Sequence, residues 1–258
     1  MAINPPALFG FNDPVWRIVP DYEKNFLVAE LRNAEERKAY FALIDILEPA
    51  LIWSGFELPE KWWIGIECAI NGLIFFHGYQ NAQFALHKGI YCFRTLDKQL
   101  LWQQKNLRYV SHTGEKVRVT DLNNPDKIFE VDIHTGAETK SSAAPGNTFI
   151  LEKSSSLFFI EGTNDFASVK AYIDEKLNLQ VVSTVEYQEY QDKIIISFYH
   201  KFDGKYVNEI LVIDNNGHIL LKEEMDKNLE GFGKGTFIII GRKLIFIKFK
   251  NQLCIYDI

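Results

Sequence analysis

The stretch Gly89–Trp102, with the sequence GIYCFRTLDKQLLW, contains the pattern on which our fold prediction rests. Ile90–Phe93 is a short run of aromatic and apolar residues, which is typical of a β-strand. The polar residues around Asp97 and Lys98 predict a turn, and a second apolar run follows that ends at Trp102. The stretch therefore predicts a β-hairpin whose second strand ends in tryptophan.

The same succession of strand, turn and strand recurs along the chain. One key position ends the first strand of each copy, and successive key positions are 49, 38, 42, 40 and 43 residues apart. The key positions are Asp45, Arg94, Asp132, Asp174, Asp214 and Asp257. Such intervals are typical of four-stranded propeller blades. We therefore predict an all-β fold, a β-propeller of about six four-stranded blades, with five or seven blades as alternatives.

Two parts of this prediction depend on how the repeats divide the chain. In the fourth repeat we expect strands over Ser168–Asp174 and Leu179–Thr184, and the fifth repeat then begins with a strand over Glu186–Tyr190. The sixth repeat lacks an outer strand. Residues 1–12 contain an apolar segment that resembles the outer strands, so we expect it to pair in the last blade and close the ring. The whole chain, residues 1–258, is then one domain.

Composition excludes several classes of protein. The net charge of −6 argues against binding to nucleic acid, which requires clustered Lys and Arg on the phosphates. The sequence shows neither a signal-peptide pattern at its start nor an apolar run long enough to span a membrane. Cys68, Cys92 and Cys254 lie far apart in apolar strand patterns, which favours buried thiols. A cytoplasmic protein is the expectation.

The repeat also resembles that of quinoprotein-type propellers, in which a tryptophan docks between neighbouring blades. Ile44-Asp45 with Leu51-Ile52-Trp53, and Arg94 with Leu100-Leu101-Trp102, carry this resemblance. The opening, Val15–Pro20, and the chain length are similar to an uncharacterised bacterial family described as a domain of unknown function. The quinoprotein resemblance implies a propeller with a calcium-bound quinone, but no cofactor ligands match here. We therefore predict no cofactor and no metal.

The candidate binding residues follow from where long loops should meet. In a propeller, loops between blades share a face with the hairpins that join the second and third strands, and long loops on a rigid scaffold commonly carry binding sites. His112 ends a predicted inner strand and is placed at the channel, and local packing within a blade is the alternative role for the loop residues. The candidates are Trp62, Glu67, Tyr79, Phe84 and His112.

Motifs for specific chemistry are weak in this sequence. No two histidines have the helical spacing of zinc hydrolases, and the glycine-rich segment Gly231–Gly235 lacks the helix that would receive a phosphate. Glu67, Glu152 and Glu189 lie on or beside predicted inner strands, where two carboxylates could serve a glycosidase. Two hypotheses follow: a non-catalytic scaffold that binds an unknown protein or small molecule, or a propeller hydrolase. Neither hypothesis involves a nucleic acid or a membrane.

Overall fold

The computed structural model describes residues 3–80, 85–139 and 156–258. These residues are mostly antiparallel β-strands with one α-helix. They belong to two compact units, one within Asp13–Leu151 and the other made of Met1–Asn12 and Glu152–Ile258. In chain order the elements are β1 (Ala7–Gly10), β2 (Val15–Asp21), β3 (Phe26–Asn33), β4 (Lys38–Asp45), β5 (Ala50–Phe56), β6 (Ile64–Ile70), β7 (Leu73–Tyr79), β8 (His87–Arg94), β9 (Leu100–Gln104), β10 (Leu107–His112), β11 (Lys116–Asp121), β12 (Asn124–Asp132), β13 (Leu157–Ile160), α1 (Asn164–Leu177), β14 (Val181–Tyr190), β15 (Lys193–Phe202), β16 (Lys205–Asp214), β17 (Ile219–Leu229), β18 (Phe237–Ile240), β19 (Lys243–Lys248) and β20 (Gln252–Asp257).

The first unit contains three sheets that follow one another along the chain. Strands β2–β5 form the first sheet, β6–β9 the second and β10–β12 the third, each an antiparallel meander. The hairpin predicted within Gly89–Trp102 is confirmed, as β8 and β9. The Asn71-Gly72 turn joins β6 to β7, and both residues have positive φ, as a tight hairpin requires.

The tryptophan of the repeat connects one sheet to the next. Nε1 of Trp53 donates to the carbonyl oxygen of Thr95 at 2.9 Å, and Nε1 of Trp102 donates to that of Ile133 at 2.9 Å. Thr95 and Ile133 each follow a key position of the next repeat. Tryptophan suits this position because its apolar rings fill the space between sheets while its buried N–H still has an acceptor.

The aspartate at the key positions stabilises the turn that follows it. Oδ1 of Asp45 accepts from the backbone N–H groups of Leu47 and Glu48, and Oδ1 of Asp132 accepts from those of His134 and Thr135. Aspartate is favoured at such turns because its short side chain replaces a backbone acceptor.

The second unit departs from the prediction at the fourth repeat. The segment Ser168–Asp174 is helical, within α1, so the predicted strand there is wrong. The two strands predicted over Leu179–Thr184 and Glu186–Tyr190 are also wrong, since they form the single strand β14. Strands β13–β17 form one five-stranded sheet in place of two four-stranded ones. The described residues thus form five sheets.

Helix α1 has both of its ends encoded locally. The Thr163 side chain accepts a hydrogen bond from the backbone N–H of Phe166 at the N-terminus, and Asn178 adopts the left-handed conformation at the C-terminus. Phe166, Val169 and Ile173 recur at helical spacing and pack in the core of the second unit. The helical period therefore prevails over the likeness of Ile173-Asp174 to a strand end.

The Thr163→Ala substitution is expected to lower the free energy of unfolding by about 1 kcal/mol, because it removes the N-cap. Ser168→Ala is the matched control. Ser168 lies inside the exposed face of the helix, where its Oγ donates to the carbonyl of Asn164 at 3.0 Å, and alanine there is favoured. Urea unfolding should show the loss for Thr163→Ala only. Equal midpoints for the two variants would contradict the capping role.

The N-terminal segment pairs as the sequence predicts. Strand β1 lies antiparallel to β20, with Leu8 opposite Cys254 and Phe9 opposite Leu253. Strand β1, from the N-terminal end of the chain, is therefore the fourth strand of this sheet, whose order is β1-β20-β19-β18.

Within the described residues, no helix is long and apolar enough to cross a bilayer.

Candidate functional site

Three side chains of metal-binding types converge in the second sheet. Glu67 lies on β6, His77 on β7 and His87 on β8, which are adjacent strands. Oε2 of Glu67 is 2.8 Å from Nδ1 of His77 and 2.8 Å from Nδ1 of His87. One potential ligand atom from each side chain lies within 4.8 Å of the other two. We call these three residues the His-Glu cluster.

Two irregularities in the strand pairing shape this cluster. Between β6 and β7 the register passes from Ile66 opposite Phe76 to Cys68 opposite Phe75, so Glu67 is an extra residue at a bulge. Between β7 and β8 the register shifts again after Phe76, beside Gly89, which has φ of 76°. Bulges redirect side chains and are frequent at functional sites.

The two imidazole rings lie face to face. Their centroids are 3.4 Å apart and the planes differ by 8°. Nδ1 of His87 forms a hydrogen bond with Glu67. The His77 side chain is only 2% exposed, and its two nitrogens make no hydrogen bond, because the close approach of Nδ1 to Glu67 lacks the required angle. A buried polar group without a partner is rare and calls for an explanation.

The charge states suit a ligand role. Burial alone raises the pKa of Glu67, but the close contacts and charges of His77 and His87 outweigh it and hold that pKa at about 2. Burial lowers the pKa of His77, and the neighbouring Glu67 only partly offsets this effect. At neutral pH the cluster therefore offers a carboxylate and, at His77, a neutral imidazole.

The first sheet holds β6 in place beside the cluster. Arg32 donates to the carbonyl oxygens of Trp62 and Ile64 at 2.9 and 2.6 Å. The buried Glu30 accepts from Nε of Arg32 at 2.7 Å and from the backbone N–H of Ile66 at 3.0 Å. These charged hydrogen bonds fix the backbone immediately before Glu67.

Gly65 leaves room for the buried histidine. A Cβ atom at this position would lie 3.1 Å from Nε2 of His77 and 3.4 Å from Oε2 of Glu30. The distance to Nε2 is tighter than an ordinary contact, so an added Cβ atom would require the imidazole to shift by a few tenths of an ångström.

An aromatic pocket adjoins the cluster through Tyr79. The Tyr79 ring meets the His77 and His87 rings edge-on, at centroid distances of 5.0 and 5.6 Å, and Trp63 packs against Tyr79 at 6.1 Å. The pocket has a volume of about 330 Å³. Its lining includes three aromatic rings and two opposite charges, from Trp63, Tyr79, Tyr91, Glu60 and Lys88.

The structure brings together two of the five predicted binding residues, Glu67 and Tyr79. Trp62 instead lies half-buried against the guanidinium of Arg32, 5.0 Å from it, and the neighbouring Trp63 lines the pocket. His112 is half-buried, bonds the hydroxyl of Tyr109 and has its pKa lowered by burial. Phe84 lies outside the described residues.

Of the carboxylates considered for hydrolysis, Glu67 is the one that belongs to the His-Glu cluster. Glu152 lies outside the described residues, and Glu189 belongs to the other unit, where it accepts from the hydroxyl of Tyr187 at 2.8 Å. His77 and His87 were missed because only helical histidine spacing was considered. The sequence does hold a usable pattern, since both histidines flank the loop between two predicted neighbouring strands.

Comparisons with known proteins place a family match over this region. The family model described as "Domain of unknown function (DUF4905)" matches residues 20–102, less than half of the chain, and this range includes the His-Glu cluster. No curated protein matches the sequence.

Two solved structures show some likeness to the chain. BamB from Moraxella catarrhalis is 9% identical with a TM-score of 0.37, covering 99% of this chain and 100% of the other. The β-propeller domain of the Trilobed protease from Pyrococcus furiosus is 12% identical with a TM-score of 0.34, covering 95% of this chain and 65% of the other. Over residues 20–102, the chain is similar to a family described as a domain of unknown function.

Proposed function

We propose that the protein is a non-catalytic binding scaffold that takes a small ring-containing molecule in the pocket of the second sheet. The observation that carries this proposal is the lining of that pocket. Trp63, Tyr79 and Tyr91 give it aromatic walls, and Glu60 and Lys88 place opposite charges at its border. Apolar and aromatic surface with a few polar groups is the usual composition of small-molecule sites.

Each part of the lining has a distinct role in this proposal. Trp63 is 42% exposed, and the exposed part of its ring provides apolar surface for a ligand. Lys88 attracts an anionic substituent of the ligand, while Glu60 attracts a cationic or hydrogen-bond-donating one. A planar molecule with a polar substituent satisfies both the walls and the border.

The scaffold in this proposal is a β-propeller in the cytoplasm. The antiparallel meanders, the tryptophan links between successive sheets and the pairing of β1 with β20 support a ring of repeated sheets. The blade number and the closure of the ring belong to the proposal. A net charge of −6 is consistent with a protein that does not bind nucleic acid.

A hydrolase is the second candidate function, and the His-Glu cluster is the observation that favours it. Hydrolysis requires groups that can move a proton and orient water. Glu67 with two imidazoles supplies such groups beside the pocket. A paired-carboxylate glycosidase has less support, because the groups that contact Glu67 in the described cluster are imidazoles.

The binding proposal predicts that aromatic fragments bind in the pocket. Saturation-transfer NMR with 4-hydroxybenzoate and tyramine tests an anionic and a cationic aromatic compound. We expect at least one of them to bind the natural chain, and the Trp63→Ala variant to weaken binding about 10-fold or more, through loss of stacking. Trp16→Ala is the control, because Trp16 is 70% exposed and does not line the pocket. Binding of neither compound, or equal binding by Trp63→Ala, would contradict the proposal.

A further inference from the structure

We propose that Glu67, His77 and His87 bind one divalent transition-metal ion of the zinc class. This inference goes beyond the pocket described above and does not depend on it. The argument rests on the donor atoms, their geometry, an unpartnered buried imidazole and the rigidity of the surrounding strands.

The donor set selects the class of metal. Two imidazole nitrogens and one carboxylate oxygen are a frequent set of protein ligands for zinc. Imidazole also suits copper, iron and nickel, whereas magnesium and calcium prefer sites made only of oxygen. The sequence-based expectation of no metal rested on the unmatched quinone and calcium ligands and on helical histidine spacing. Neither criterion applies to ligands carried by neighbouring strands.

The distances between the ligand atoms are close to those around a bound ion, and the parallel rings would tilt so that both nitrogen lone pairs face it. Zinc bonds to nitrogen or oxygen are about 2.0–2.2 Å, so two ligands at a tetrahedral angle lie about 3.3 Å apart. The three ligand atoms here lie within 4.8 Å of one another, and Oε2 of Glu67 is 2.8 Å from each Nδ1. An ion would therefore spread the two closest contacts by about half an ångström.

The buried imidazole of His77 supplies an independent observation. It is 2% exposed, it approaches Glu67, and neither of its nitrogens has a hydrogen-bond partner. Leaving such a group unsatisfied destabilises the folded chain. A bond from Nδ1 to a metal ion would satisfy it and would also explain why a nitrogen of each stacked ring lies beside the same carboxylate oxygen.

The backbone around the cluster is arranged before any ion binds. Glu67 sits at a bulge, and Arg17 and Arg32 hold the adjoining carbonyl oxygens of Ile66 and Ile64 at 2.7 and 2.6 Å. Fixed supporting hydrogen bonds orient metal ligands, and losing such support typically reduces metal affinity 10–100-fold. The cluster is therefore built on rigid strands rather than on a loop.

The exposure of the three ligands indicates how the ion enters. The His87 side chain is 32% exposed, against 13% for Glu67 and 2% for His77. The ion reaches the cluster from the side of His87. Three protein ligands leave a fourth position for water, which is the arrangement of open zinc sites rather than of closed structural ones.

The test uses the full chain, expressed without a histidine tag, stripped with a chelator and titrated with ZnCl₂ by calorimetry. We expect one equivalent of zinc to bind, and Glu67→Gln and His87→Ala to weaken binding at least about 100-fold, since removing a ligand exceeds the loss of its supporting partner. Titration with CoCl₂ should give the visible absorption bands of a low-symmetry cobalt site, and MgCl₂ should give no binding.

The matched control is His218→Ala. His218 is an exposed histidine whose Nδ1 lies 2.9 Å from Oδ2 of Asp214, so it reproduces a single histidine–carboxylate pair without the second imidazole. This variant should bind zinc as tightly as the natural chain. His87 is partly exposed, and circular dichroism should show that His87→Ala folds; Glu67→Gln keeps the side-chain shape and tests the site if His87→Ala does not fold. No zinc binding by the natural chain, or unchanged affinity in Glu67→Gln, would overturn the proposal.

Discussion

Deleting residues 1–12 is expected to lower the midpoint of thermal unfolding by about 10 °C or more. The deletion removes β1 and leaves the edge of β20 unpaired. Strand β20 carries the buried residues Leu253, Cys254 and Ile255. It also removes the hydrogen bonds between Phe11 and Asn251, at 2.9 and 3.1 Å. Calorimetry and light scattering should show the lower midpoint together with aggregation, because unpaired edges associate.

A peptide that contains residues 4–12 provides the control. Added in excess to the truncated chain, it should pair with β20 and restore part of the lost stability, as strand addition does in other complexes. A truncated chain that melts at the temperature of the natural chain would contradict this role of β1.

Gly136→Ala is expected to lower the free energy of unfolding by about 2–4 kcal/mol. Gly136 has φ of 67°, a conformation that is costly for alanine, and a Cβ atom there would lie 2.6 Å from Cδ2 of the Trp102 ring. The Trp102 side chain cannot move away without losing its hydrogen bond to Ile133. Denaturant unfolding measures the change.

Gly235→Ala separates the backbone strain from the clash. Gly235 has φ of 65°, and no atom lies within 4 Å of the Cβ position there. Its loss of stability should therefore be about 1 kcal/mol, from the backbone alone. Equal losses for the two variants would show that the contact between Gly136 and Trp102 contributes nothing.

The sequence was most informative where local pattern and tertiary contacts agree. In the first two repeats, apolar runs, the Asn71-Gly72 turn and the tryptophans each reflect a contact within one hairpin or between successive hairpins. Strand positions there could be predicted because each strand pairs with the next strand along the chain. The pairing of β1 with β20 could be predicted because an unpaired edge is costly in any sheet.

The prediction failed where two periodicities competed. Around α1 the strand-end pattern Ile173-Asp174 repeats that of Ile44-Asp45, but the cap at Thr163 and the spacing of Phe166 and Ile173 support a helix. The repeat in the neighbouring segments predicted a strand here, whereas these local features favour a helix. The segment carries both the strand-end pattern and the helical period, and the helical period decides its structure.

The candidate site was half predictable. Glu67 was a candidate because it lies on a predicted inner strand, and Tyr79 because it lies in a predicted long loop. The convergence of Glu67 with His77 and His87 depends on two bulges, and a shift of one residue in strand pairing would change which side chains meet. Sequence patterns do not determine bulge positions, so the cluster became visible only in the structure.

The cluster also bears on the choice between scaffold and hydrolase. A scaffold needs only the pocket, whereas a hydrolase needs a reactive group beside it. Tyr79 connects the two, since it lines the pocket and contacts both imidazoles. A metal ion with an open position would give the hydrolase hypothesis its reactive group, and the absence of one would favour the scaffold.

The most direct test is a crystal structure of the full chain soaked in ZnCl₂, with diffraction data collected on both sides of the zinc absorption edge. We predict one strong anomalous peak within bonding distance of the Glu67 carboxylate and of Nδ1 of His77 and His87. A map with no peak among these three side chains, with the imidazoles still stacked on one another, would contradict the account.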